Sequence, residues 1–373
     1  GSYNAALGRD ALFANTTGAK NAAFGYQALA VNTTGSFNLA AGYQTLTSNT
    51  TGASNSAIGF QALALNTTGS YNQALGPLAL SGNTTGSYNV AIGDSALYAN
   101  TTGSFNAALG DRSLYANTTG QYNTGLGMKA LFTNTTGSYN TATGYTSLYS
   151  NTTGDYNVAS GPSSLFSNTT GSYNAAFGAN SLFSNTTGSE NVGIGLEALQ
   201  SNTTGSYNTA IGFKAGYDNK TGSNNVFIGY KAGYNANSDF SNQLYISNGP
   251  NTNLITGNFA DGTLNLGQTQ GMVSVLNNFD VDGITNLDDV DIDADTDMAG
   301  ALTLAGNADF NGNLDVQGIT TLRSSTDILG NLDVDGVTNL DNVDIDGTVD
   351  MASTLTLAGN ADFNGDLDVD GTT

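Results

Sequence analysis

The clearest candidates for chemistry are the carboxylates of a short alternating run near the C-terminal end. Asp289, Asp291, Asp293 and Asp295 occupy every second position, and Asp297 continues the series. Carboxylate oxygens suit Ca²⁺, which takes about six to eight oxygen ligands. The run lacks the glycine and the closing glutamate of an EF-hand, and alternate residues of a strand lie about 7 Å apart. We therefore expect a solvated acidic surface here, with bound calcium as the alternative.

The chain lacks several of the residue types that enzymes most often use for catalysis. The 373 residues include no cysteine, no histidine and no tryptophan. Disulfides, the usual structural zinc sites and the commonest general base are therefore excluded. The paired carboxylates of the acidic run lack the burial that would separate their pKa values for acid–base catalysis. We expect no enzyme activity, no catalytic residue and no cofactor, calcium being the one candidate ion.

A recurring unit that contains the string Asn-Thr-Thr-Gly allows three further kinds of chemistry. Rows of threonine occur on ice-binding solenoids, but here the threonines share a turn with Asn and Gly, and turn formation explains them equally well. Asn-Thr-Thr is also formally an N-glycosylation acceptor, although glycans on every repeat would crowd one another. Regularly spaced Tyr and Phe could stack on sugars; packing at an interface is the favoured interpretation of those aromatic residues.

The spacing of this string predicts the fold. Asn-Thr-Thr-Gly begins at Asn15 and recurs every 17 residues to Asn202, without an insertion or deletion. Each unit carries two or more glycines, which cost about 1 kcal/mol each inside a helix. Short strands joined by turns fit better, with one unit forming one coil of a parallel β-solenoid. Coils would stack at the strand spacing of about 4.8 Å.

Within one unit the sequence predicts two strands. The segment from Tyr88 to Ile92 is the first and the segment from Ser95 to Tyr98 is the second. Turns separate them because Asn and Gly tolerate positive φ. The turn residues named by this interpretation are Asn15, Gly18, Asn100, Gly103 and Gly93.

Side-chain alternation assigns the columns of the stack to an inside and an outside. Small residues of the first strand and a repeated leucine would fill the coil, with asparagine amides hydrogen-bonded along the stack. A second apolar column would remain outside beside a column of Tyr and Phe, and such a surface marks an interface. The predicted core residues are Leu12, Leu29, Leu97 and Asn89. The predicted interface residues, facing identical chains in a homotrimer, are Leu7, Ile58, Ile92, Leu109 and Ile211.

The unit from Gly86 to Leu97, repeated from Gly205 to Ile211, resembles the head repeats of trimeric autotransporter adhesins. That resemblance covers about residues 1–238. It implies a left-handed parallel β-roll with three rolls packed about one axis. The added Asn-Thr-Thr-Gly turn departs from the family pattern, and neither the family's coiled-coil stalk nor its membrane anchor is seen.

The rest of the chain divides into a connector and a shaft. Residues 239–275 are similar to connectors of bacterial surface proteins and phage tail fibres. Residues 276–373 repeat at a spacing of 53, as in Asp280 and Asp333, with strands such as Asp289–Asp293 that alternate polar and apolar residues. We expect these strands to form an acidic β-shaft intertwined from three chains. The chain opens and stops inside repeats, so both ends look like cuts from something longer.

Charge narrows the choice of partners. Of the 30 acidic residues, 23 lie in residues 239–373, with Arg323 as the only base there. Such a surface repels nucleic acid and anionic membranes, and no apolar run approaches the roughly 20 residues of a membrane span. We expect an extracellular, surface-attached bacterial fibre or adhesin that binds identical chains and an unidentified receptor or glycan. A receptor-binding tail fibre of a phage or contractile injection system is the alternative, and an ice-binding solenoid comes third.

Chelation distinguishes the two interpretations of the acidic run. If Asp289, Asp291, Asp293 and Asp295 form a solvated surface, the melting temperature should be the same in excess calcium and in excess chelator. Bound calcium stabilises the state that binds it, so a lower melting temperature in chelator would favour the calcium site. Thermal unfolding followed by circular dichroism makes the comparison.

Overall fold

A computed structural model describes residues 1–234, 240–250 and 253–266, together with the backbone of seven short strands between 290 and 328. These residues form strands and turns, with no helix among them. The chain divides into two units, Gly1–Ser274 and Val275–Thr373. The architecture is an all-β parallel solenoid with 17-residue coils, as the repeat predicts.

Each of the first fourteen coils contributes one three-residue strand, and a short meander follows. The strands of the stack are β1 Ala5–Leu7, β2 Ala22–Phe24, β3 Leu39–Ala41, β4 Ser56–Ile58, β5 Gln73–Leu75, β6 Val90–Ile92, β7 Ala107–Leu109, β8 Thr124–Leu126, β9 Thr141–Thr143, β10 Val158–Ser160, β11 Ala175–Phe177, β12 Val192–Ile194, β13 Thr209–Ile211 and β14 Val226–Ile228. The meander is β15 Gln243–Ser247, β16 Asn253–Asn258 and β17 Thr263–Leu266.

One sheet runs through the whole first unit. Neighbouring strands β1 to β14 pair in parallel with residue i opposite residue i + 17, as Val90 lies opposite Ala107. β15 continues in parallel from β14, and β16 and β17 then pair antiparallel. The connector strands therefore extend the sheet of the repeats.

The predicted second strand is wrong. Residues 94–99 form turns, and Ser95 and Leu97 have φ values of 54° and 52°. Their amides nevertheless bond between coils, because Ser95 N donates to Pro77 O at 2.9 Å and Leu97 N donates to Ser113 O at 3.0 Å. The coil is thus one strand plus a segment that stacks without extended backbone.

Leucine is an unusual residue for this left-handed conformation. The repeated leucines from Leu12 to Leu199 have φ between 50° and 54°, which costs an L-residue about 1–2 kcal/mol. From Leu29 onward they are fully buried, and burying a leucine side chain stabilises by about 1.5–3 kcal/mol. Burial and the inter-coil hydrogen bond together outweigh the backbone cost.

Two asparagine columns hold the coils together. Asn100 Nδ2 donates to Asn83 Oδ1 in the preceding coil at 2.7 Å and to Gly103 O in its own coil at 2.9 Å. Asn89 Nδ2 donates to the same Gly103 carbonyl at 2.9 Å. Asn89 Oδ1 accepts from the backbone N–H of Asn106 in the next coil at 3.0 Å. The coils from Asn21 to Gly222 repeat this arrangement, so buried amides that would cost stability if unpaired are paired along the stack.

The core changes composition at the C-terminal end of the stack. Gly216 and Gly233 stand where earlier coils have leucine, and Phe227 stands where they have the strand alanine. Phe227 is buried, and a Cβ on Gly216 would lie 2.6 Å from its Cδ2. Its ring stacks on Tyr245 with centroids 5.7 Å apart. One aromatic side chain thereby replaces two leucines and joins the stack to the connector.

The second unit has a different register. Its described strands are β18 Val290–Ile292, β19 Thr296–Met298, β20 Leu302–Leu304, β21 Ala308–Phe310, β22 Leu314–Val316, β23 Thr320–Leu322 and β24 Thr326–Ile328. They pair in parallel with the strand 18 residues further along the same chain, as Val290 pairs with Ala308. The sequence did not reveal this 18-residue register.

Replacing one ladder amide should reveal its contribution. Asn100→Asp puts an oxygen opposite the two acceptors Asn83 Oδ1 and Gly103 O, and it buries a charge. We expect a loss of about 3 kcal/mol or more in the free energy of unfolding. The exposed Thr102→Asp, two residues away, is the matched control and should change stability by less than about 0.5 kcal/mol. Equal losses in urea unfolding of the two variants would contradict the role of the ladder.

Candidate functional surface

The predicted turn residues lie where the coil bends, but for a different reason from the one given by the sequence. None of Asn15, Gly18, Asn100 and Gly103 has positive φ. Glycine is required at Gly18 because a Cβ there would clash with Gly35 O and the Asn15 side chain. Gly93 does adopt positive φ, at 134°.

The predicted core residues lie on the inside of the coil. Leu29, Leu97 and Asn89 are fully buried, whereas Leu12 is partly buried in the first coil. The Asn-Thr-Thr strings from Asn32 to Asn202 are therefore closed to glycosylation in the folded chain, because each asparagine is buried and its amide nitrogen is hydrogen-bonded.

The two threonines of each string have different environments. The first donates its hydroxyl to the next coil, as Thr33 Oγ1 does to Thr50 O at 3.1 Å. The second is exposed, as at Thr34 and Thr102. The exposed threonines form a row with one member per coil from Thr17 to Thr204.

The predicted interface residues lie together on the outer side of the sheet. Ile58, Ile92, Leu109 and Ile211 are each about 40% exposed, and Leu7 is more exposed in the first coil. We call their column the apolar seam. It comprises Leu7, Phe24, Ala41, Ile58, Leu75, Ile92, Leu109, Leu126, Thr143, Ser160, Phe177, Ile194, Ile211 and Ile228. Eleven of the fourteen are large apolar residues, and such a surface is typical of an interaction site.

Aromatic rings form ladders beside the seam. The tyrosine ladder is Tyr71, Tyr88, Phe105, Tyr122, Tyr139, Tyr156 and Tyr173, whose neighbouring ring centroids lie 4.7–5.0 Å apart in parallel planes. A second ladder is Tyr98, Tyr115, Phe132, Tyr149, Phe166 and Phe183, at 5.1–5.2 Å. Stacked rings cover each other's faces and present their edges outward. Flat stacking of sugars on the interior rings is therefore obstructed.

Few charges accompany these columns. Among the described residues the ion pairs are Lys214 with Glu197 at 3.0 Å and Arg9 with Asp10 at 3.5 Å. The hydrogen bond from Lys214 to Glu197 raises the pKa of Lys214. Within the ladder, desolvation and the neighbouring groups Tyr139, Tyr173 and Asp155 raise the pKa of Tyr156.

The acidic run falls largely outside this description. Asp289, Asp293 and Asp295 lie outside the described residues, and Asp291 lies within β18. In the described part of the chain, no group of three or more His, Asp or Glu residues is placed to hold a metal ion. No helix in that part has the length and hydropathy that a membrane crossing needs.

Two features of the surface escaped the sequence analysis. The second ladder was visible as a 17-residue recurrence from Tyr98 to Phe183. Glu190, which interrupts the column of the tyrosine ladder between Tyr173 and Tyr207, was visible as a change of residue type within that column. Both patterns are harder to recognise than the invariant Asn and Gly columns, because residues at outward positions vary from coil to coil.

Comparison with known proteins adds no relative to this description. No protein-family model matches the chain, and neither do any curated protein or any solved structure.

Proposed function

We propose that this chain is a structural, non-enzymatic fibre of a bacterial surface, an adhesin whose identical chains pack along the apolar seam. The proposal rests on the exposure of the apolar seam. Large apolar side chains stay about 40% exposed over most of the stack, a hydrophobic surface that a single chain leaves in water.

Three parallel chains about one axis suit the composition of the seam. A rotation axis along the stack places each coil against the same coil of its neighbours. The polar coils at Thr143 and Ser160 then meet one another, and the apolar coils on both sides do the same. An antiparallel arrangement that overlaps all fourteen coils would set Thr143 and Ser160 against large apolar side chains in other coils, which would leave polar groups in apolar surroundings.

A fibre role is consistent with the way the coils are joined. Each coil contacts its neighbours through backbone hydrogen bonds and the asparagine columns, so stability accumulates along one axis. In this proposal the repeats serve as a head or spacer, and the C-terminal unit serves as an acidic shaft. The chain would present its outward columns to a receptor or glycan outside the cell. The adhesin assignment itself rests on the resemblance of the repeats, which is an argument from analogy.

Charged substitutions on the seam test the assembly. Ile92→Glu together with Leu109→Glu would bring like charges together in the proposed interface, and we expect the assembly to dissociate into chains of 38.0 kDa. Thr102→Glu together with Thr119→Glu introduces the same charge in the same coils at exposed threonines and should leave the mass unchanged. Light scattering with size exclusion measures both. A mass of one chain for the unsubstituted protein would remove the proposed trimer.

Localisation separates an adhesin from a tail fibre. Immunogold labelling of producing cells should mark the cell outer surface if the chain is an adhesin. Label on released particles or contractile tubes would favour the alternative, a receptor-binding tail fibre.

The exposed threonine row favours one further candidate, an ice-binding surface. Its hydroxyls recur once per coil from Thr17 to Thr204 on a rigid stack. An ice-binding chain would shape growing ice crystals, and unfaceted crystals in its presence would remove this candidate.

A further inference from the structure

The tyrosine ladder is interrupted at one coil by an acidic residue. Glu190 occupies the ladder column between Tyr173 and Tyr207. Its backbone matches that of its neighbours, with φ of 57° against 60° at both tyrosines, and Glu190 N donates to Ser172 O at 3.0 Å. The coil register therefore continues through the interruption, and only the ring is missing.

The missing ring uncovers one face of Tyr173 and one face of Tyr207, and Asn224 in the next coil leaves the other face of Tyr207 without a ring neighbour as well. Tyr173 is 59% exposed and Tyr207 is 57% exposed, whereas rings inside the ladder, such as Tyr122 and Tyr139, are 45–46% exposed. A shallow depression lined by Tyr173 and Glu190 lies at this place. The Glu190 side chain is exposed and forms no ion pair with any described residue.

The dimensions suit a cation between two rings. Two coils separate Tyr173 from Tyr207, so a group at the middle of the gap would lie about 4.8 Å from each ring centroid. A cation within roughly 6 Å of a ring centroid is attracted by the ring face. The carboxylate of Glu190 adds an opposite charge at the same level of the stack.

The same column already holds a cation in a second gap. Lys20 lies between Tyr3 and Phe37, and its Nζ is 4.9 Å from the Phe37 ring centroid. The gap between Tyr3 and Phe37 contains the positive charge of Lys20, whereas the gap between Tyr173 and Tyr207 contains the negative charge of Glu190. From this contrast and the two uncovered rings we infer that Tyr173, Glu190 and Tyr207 form a binding site for an organic ammonium cation, with a quaternary ammonium group as the preferred ligand.

The preference for a quaternary group follows from hydration. A primary ammonium is a compact, strongly hydrated charge, and in this shallow depression it would lose water for little gain. A quaternary ammonium binds less water and presents methyl groups to both ring faces, which is the arrangement of aromatic cages. This inference does not depend on the proposed fibre function.

Titration with choline chloride tests the site in the full chain. We expect a saturable upfield shift of the choline N-methyl proton resonance, at millimolar concentrations suited to an exposed site. The neutral isostere 3,3-dimethylbutan-1-ol should bind about tenfold more weakly or not at all, because it lacks the charge. Equal binding of the two ligands would overturn the inference.

Three variants separate the site from general surface binding. Glu190→Tyr extends the ladder across the gap and should abolish the shift while the stack stays folded, as checked by circular dichroism. Glu190→Gln keeps the gap but removes the charge, and should weaken binding about threefold or more. Ser54→Glu places a carboxylate in the gap between Phe37 and Tyr71 and should create a second site. Unchanged binding by Glu190→Tyr would overturn the inference even if Ser54→Glu bound an additional choline.

Discussion

The stack depends on one hydrogen-bonded junction that the coils from Asn21 to Gly222 repeat. The carbonyl of Gly103 accepts from the amides of Asn89 and Asn100, and Asn100 also donates to Asn83 in the preceding coil. An amide both donates and accepts, so it can relay hydrogen bonds through a stack of identical units. A carboxylate could accept but not donate, and a hydroxyl is too short to reach both partners. The invariance of the asparagine columns and of Gly103-type glycines follows from this geometry.

The junction also determines what the core can contain. With two asparagine columns inside each coil, the remaining interior is filled by alanine in the strand, by a small residue before the leucine, and by the leucine itself. The leucine reaches this interior only from a left-handed backbone. When Gly216 and Gly233 remove the leucine, Phe227 fills the interior from the opposite side of the coil. Phe227 therefore occupies interior space that leucine fills in the earlier coils.

The sequence predicted the features that recur without change and missed those that depend on local conformation. A 17-residue spacing from Asn15 to Asn202 was sufficient for the coil, its stacking and the outward position of Ile92-type residues. The segment from Ser95 to Tyr98 was predicted as a strand because nothing in residue type reveals a left-handed leucine. The exchange of leucine for Phe227 involves two columns, so neither column alone predicts it. In the C-terminal unit the 53-residue spacing, one residue short of three 18-residue coils, concealed the shorter register.

Residues in the outward columns can change without loss of stability. A change of residue type there is therefore the best indication of a functional position. A substitution inside the coil disturbs the junction or the core, so interior columns are nearly uniform. The ladder column instead changes at Lys20, Ser54, Glu190 and Asn224 while the backbone continues unaltered. Because the stack is already ordered, a ligand that meets such a position need not order the protein to bind it. A rigid repeat with a uniform interior can therefore carry different binding groups at different coils. In the described stack the clearest example is the carboxylate of Glu190, which lies between the uncovered rings of Tyr173 and Tyr207.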